Sequence, residues 1–173
     1  MLMKLYHFAV VIGLFFLSCN KDGELVYDFR LQSLVDVPTG LNTLETHYFI
    51  LRDIPTFYAA NLAARGISEE AVSRVNASRG TFTARFNRYN LAFIRLVTVK
   101  ALSKKPGGKQ VEMFYMEDVP FNEDDELQML SSLGDLEEIM AEESMDLEIR
   151  LQFRATPPPG LTLQLDYGYL VQL

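Results

Sequence analysis

Tryptophan is absent from this 173-residue chain, and cysteine occurs once, as Cys19. One cysteine excludes an internal disulfide and a site built on several thiolates, so the core alone must hold the fold. Only two histidines occur, His7 and His47. Gly-x-Ser-x-Gly and His-Glu-x-x-His are missing, and with them the common hydrolase and metalloprotease signatures. Neither Gly-x-Gly-x-x-Gly nor Gly-Lys-Ser/Thr is present. Gly107-Gly108-Lys109 runs on into Gln110 and reads as turn chemistry. Nothing in the pattern calls for a cofactor. Positive charge is scarce: 16 basic against 23 acidic side chains give a formal net charge of −7. Such a chain has no phosphate-neutralising patch, which excludes nucleic acid as a partner. No apolar run approaches the roughly 20 residues that span a bilayer.

What is present begins with residues 1–18. Lys4 is followed by FAVVIGLFFL, Phe8 to Leu17, ten uncharged and mostly large apolar residues, and then by small Ser18. A basic start, a short apolar stretch and a small residue before a cut site form a secretory signal peptide. Phe16-Leu17-Ser18-Cys19 resembles the lipobox of bacterial lipoproteins. Phe16 departs from the aliphatic residue that the family places there. The polar, acidic CNKDGE that follows is similar to the lipoproteins of Bacteroidota. This resemblance implies that Cys19 becomes the first residue of the mature chain and carries a thioether-linked diacylglycerol and an N-acyl group. It also implies an exported protein anchored to the outer membrane through lipid on Cys19. Losing Lys4 takes the basic count from 16 to 15 against 23 acidic residues, so anionic headgroups repel the rest of the chain. Residues 19–23 are then a short tether, and 24–173 have the size of one domain.

The pattern in that domain is mainly of period two. In LTLQLDYGYLVQL, Leu161 to Leu173, every odd position is apolar or aromatic, and MDLEIRLQFR repeats the alternation. Strict alternation marks half-buried antiparallel strands. ATPPPG between these two segments forbids helix and ladder pairing; whether they pair or cross between sheets stays open. Further strands are expected at 24–35, 44–54, 80–86, 91–102 and 110–119, with a shorter one near 128. SKKPGGK joins the pair before and after it as a hairpin. The expected fold is mainly β, an antiparallel sandwich of about seven or eight strands with two or three short helices in the connections. One helix is expected from Thr56 to a left-handed cap at Gly66. A second is capped by Ser68. A third, in GDLEEIMAEE, is capped by Asp135 with Glu138 completing the box.

The chemistry is sparse. His47 lies within a strand pattern with no nucleophile or carboxylate partner to name, as a hydrogen-bonded or exposed strand histidine. The acidic loop FNEDDEL offers Asn122, Asp124 and Glu126 as candidate calcium ligands, yet the glycine bend and the distant bidentate glutamate of a calcium loop are absent. Tyr115, Tyr167 and Tyr169 fall in register with inward residues and are expected in the core. Tyr58 and Tyr89 lie near loop ends and are expected at the surface, where a sugar-binding aromatic would have to stand. The expected function is a lipid-anchored component of the cell envelope that binds or scaffolds a protein partner. The alternative is a glycan- or calcium-binding surface module. A hydrolase without a recognisable motif ranks third, since most carboxylates read as a solvated face.

Overall fold

The computed structural model describes residues 26–86, 89–121 and 124–173. Eight strands dominate it: β1 Val26–Val37, β2 Thr46–Pro55, β3 Arg74–Arg85, β4 Ile94–Leu102, β5 Gln110–Met116, β6 Glu126–Ser131, β7 Ser144–Phe153 and β8 Leu161–Gln172. Two short helices, α1 Tyr58–Ala64 and α2 Glu137–Met140, sit in the connections. Every strand pairing is antiparallel. The expected mainly β sandwich is therefore the observed fold.

The order β1-β8-β3-β6-β5-β4-β7-β2 divides into two four-stranded halves, β1-β8-β3-β6 and β5-β4-β7-β2. Among the described residues only two paired positions, Phe114↔Ser131 and Tyr115↔Leu130, join them. Of the successive connections, only the β4–β5 hairpin at SKKPGGK stays within one half. All the others cross, which is the interleaving of a jelly roll. β7 and β8, whose relation was open, lie in different halves. The core is the space between the halves. Phe82, Phe114, Leu127, Leu147, Ile149, Leu163, Leu165 and Tyr169 are fully buried there.

Strand bounds differ from expectation where polar residues obscure the period. β3 starts at Arg74, six residues before the expected Gly80, because its first half carries Asn76, Ser78 and Arg79 and a register shift between Ala77 and Gly80. At that shift Ser78 reaches across β8 to β1, its Oγ donating to Asp28 Oδ1 at 2.9 Å. Gly168 lies beneath this bond. A Cβ there would stand 2.5 Å from Ser78 Oγ and 2.6 Å from the Phe29 carbonyl oxygen.

The helices are shorter than expected. α1 starts after Phe57, which holds a left-handed φ of 52°; Gly66 does take the expected left-handed φ, 68°. The Ser68 segment makes only a 3-10 turn, Glu69–Ala71, without a side-chain cap bond. Asp135 Oδ1 accepts from the Glu137 amide at 3.1 Å, but Leu136 occupies the cap position, and Glu138 pairs with Lys109 rather than closing a box.

Register fixes the two ends of the sandwich. Val26 and Arg74 both pair with Gln172, so the start of β1 and the end of β8 share one end, here the base, with the connections 56–73, 103–109 and 132–143. The described residues of the connections 38–45, 86–93, 117–125 and 154–160 gather at the other end, the tip. A 12-residue strand such as β1 spans about 40 Å between them.

Candidate functional site

Cys19 and Asn122 lie outside the described residues. Asp124 and Glu126 are exposed where the chain enters β6. The backbone of this acidic segment ties the tip connections together: the Asp124 carbonyl accepts from the Leu91 amide at 2.8 Å and that of Asp125 from Ala84 at 3.2 Å. Among the described residues no three His, Cys, Asp or Glu side chains come together as a metal cage. His47 is half-buried on β2, with Nε2 2.8 Å from the Asn42 carbonyl oxygen and its ring 5.5 Å from that of Phe153.

The tyrosines correct the sequence reading in three places. Tyr58 is 1% exposed, not at the surface: α1 folds back so that its ring packs 6.4 Å from that of Tyr169. Its hydroxyl has no hydrogen-bond partner among the described residues. Burial, with the Glu137 and Glu69 carboxylates nearby, pushes its pKa up to about 12. Tyr89, also expected outside, is half-buried and packs against the core. Tyr167 and Tyr169 are in the core as expected. Tyr169 accepts from Asn61 at 3.0 Å, and burial raises both hydroxyls.

Tyr115 moves the other way. Val99 pairs with Phe114 but Lys100 with Glu112, which leaves Met113 as an extra residue in β5. Met113 and Phe114 both turn inward and are fully buried. The bulge shifts the alternation by one. Tyr115 therefore leaves the core and lies opposite Thr98 on the outer face.

There it belongs to a row that crosses five strands: Tyr48 opposite Arg150, Arg150 opposite Thr98, Thr98 opposite Tyr115, and Tyr115 opposite Leu130. A groove of about 490 Å³ lies over the middle of this row, at Arg150, Thr98 and Tyr115. Thr98, 5% exposed, forms its floor, with Arg150, Tyr115, Glu112 and Glu117 around it. Among the described residues the Arg150 side chain has no hydrogen bond or ion pair, and its Nε is sealed from solvent. Alternation puts Arg150 on this face but misses Tyr115, which one inserted residue brings there.

The tip presents a different surface. Leu44, Phe86 and Phe121 are 88%, 82% and 83% exposed there. Phe86 holds a left-handed φ of 69°, rare for a bulky side chain. The Arg85 guanidinium lies 5.6 Å from its ring centre, and that of Arg154 lies 4.1 Å from the centre of Phe121. Arg154 is fixed by an Nη2 bond to the Val119 carbonyl at 2.6 Å. Aromatic side chains, phenylalanine included, and arginine are enriched in protein interfaces relative to the rest of the surface.

No protein-family model matches the chain, and no curated protein matches it. Two matching solved structures are those of turnip yellow mosaic virus and desmodium yellow mottle tymovirus. The first is 15% identical over 87% of this chain and 94% of that one, with a TM-score of 0.30. The second is 10% identical over 86% and 87%, with a TM-score of 0.25. At these scores the likeness carries no argument about function.

Proposed function

We propose that this protein is a lipid-anchored component of a bacterial outer membrane that holds a protein partner at the tip of its sandwich. The observation that carries the reading is the placing of Leu44, Phe86 and Phe121, each more than four-fifths exposed, at the end away from the start of β1. Large apolar side chains gathered at one end of a soluble domain mark an interaction surface. The expected anchor supports the same orientation. β1 starts seven residues after Cys19. Seven residues reach at most about 25 Å when fully extended, well short of the tip some 40 Å from the base. A lipid on Cys19 would thus hold the base and leave the tip facing outward.

The test is purification of the full-length protein from native membranes. One partner should be recovered with it at fixed stoichiometry. The double variant Phe86→Ser/Phe121→Ser, with an unchanged melting temperature, should lose that partner. Recovery of the same partner by the folded double variant overturns the tip as the contact surface.

A further inference from the structure

The groove on the outer face of the β2–β7–β4–β5 half lies along the flank of the sandwich, and the reading of the tip leaves it unused. We propose that it binds a neutral oligosaccharide. Its volume of about 490 Å³ falls within the range of small-ligand sites, roughly 300–1,000 Å³. The polar groups around it are matched to hydroxyls. The guanidinium of Arg150 offers donors only, and the Glu112 and Glu117 carboxylates offer acceptors only. Neither carboxylate has a hydrogen bond or ion pair among the described residues, and neither has Arg150. A sugar hydroxyl both donates and accepts, so hydroxyls along an oligosaccharide chain can pair with all three through charge-assisted bonds.

Charge argues against the alternatives. Two carboxylates face one guanidinium in the groove, on a chain of net charge −7, so an anionic ligand meets repulsion. A bare metal ion has no cage among the described residues. An apolar peptide would bury Glu112, Glu117 and Arg150 without neutralising each of them, at a cost that apolar contact does not recover. The apolar parts of the groove suit a sugar as well. Tyr115 presents its ring beside the polar groups, and Leu96 and the 81% exposed Leu133 flank them. Together they give C–H faces a surface to lie on. The lining runs from Arg150 on β7 across β4 and β5 to Ser131 on β6, three strand spacings or about 14 Å. A trough of that length, open along the sheet, fits the interior of an oligosaccharide chain better than a single ring.

The experiment is calorimetric titration of the full-length protein in detergent. The neutral probes are oligosaccharides of β-glucan, α-glucan, mannan, xylan and N-acetylglucosamine, and the anionic probes are polygalacturonate and heparin. At least one neutral probe should bind saturably. Tyr115→Ala and Arg150→Ala should each weaken it at least tenfold, about 1.4 kcal/mol. Tyr115→Phe, which keeps the ring, should bind as the wild type does. Glu117→Gln changes an exposed residue without loss of packing and should weaken binding several-fold even if the alanine variants unfold. Phe121→Ser, at the tip, should leave binding unchanged. The proposal is overturned by no neutral probe binding at millimolar concentration, by binding confined to the anionic probes, or by binding that survives Glu117→Gln and whichever alanine variants stay folded.

Discussion

Asp146, near the start of β7, collects three contacts at the base. Its Oδ1 accepts from the Asp53 amide and from Lys104 Nζ, each at 2.9 Å, and Oδ2 lies 3.7 Å from Arg52. Lys104 also reaches Asp53 at 2.8 Å, so the β4–β5 hairpin, the bulge of β2 and β7 share one small network. Desolvation acts to raise the pKa of Asp146. The Asp53 amide bond and Lys104, helped by the charge of Arg52, outweigh it and hold the carboxyl below its ordinary value. A native pKa below the unfolded one means stabilisation that is complete above the unfolded value, about 3.9, and lost as pH falls through the native value. Asp146→Asn should therefore lower stability at neutral pH by about 1.5–3 kcal/mol, the usual size for a hydrogen bond to a charged group. Melting temperatures measured against pH should show a constant gap between wild type and variant down to about pH 5, closing below about pH 4. A gap that persists in acid would mean the loss is one of packing, not of charge.

Within the β1-β8-β3 half, β8 is clamped from both sides where it carries Gly168. The Ser78–Asp28 bond passes over that glycine, and its own backbone lies against the Phe29 carbonyl. Because that carbonyl is backbone in a paired strand, it has nowhere to retreat. Gly168→Ala should destabilise the protein by about 1–3 kcal/mol, as overpacking does, and removing the Ser78 hydroxyl in addition should not restore it. Chemical denaturation of the single and double variants checks both statements. The same stretch shows what sequence can carry. β7 and β8 alternate without interruption, and their faces were legible residue by residue. β3 was half hidden, because Asn76, Ser78 and Arg79 straddle a bulge where the period slips. Tyr115 was misplaced for the same reason: nothing local tells that Met113 and Phe114 both turn inward. Tyr58 was misplaced for another. A loop-end position suggests water, and only the packing of α1 on Tyr169 removes it. Beyond the β4–β5 hairpin, strand order was not legible, since it rests on pairings such as Val26↔Gln172 between opposite ends of the chain.

At the scale of the molecule, the charge balance bears on how the proposed membrane attachment would be held. With 23 acidic against 16 basic residues the chain is repelled by anionic headgroups, and among the described residues no helix is long and apolar enough to cross a bilayer. On the proposed reading, attachment then rests on the acyl chains of Cys19. Each buried methylene contributes about 0.8 kcal/mol, and two chains suffice for stable anchoring. The hold is therefore hydrophobic, and salt should not weaken it. Native protein should remain with the membrane fraction in high salt, and its N-terminal peptide should carry the mass of an acylated Cys19. Replacing residues 1–19 with a leader that is cleaved without lipidation should move the protein to the soluble fraction. If a tip partner also binds the membrane, salt should release the lipid-free form but not the native one. Retention of the lipid-free form in high salt, with its leader shown by mass to be gone, would place the hold in the sandwich itself, and the orientation of base and tip would have to be reversed.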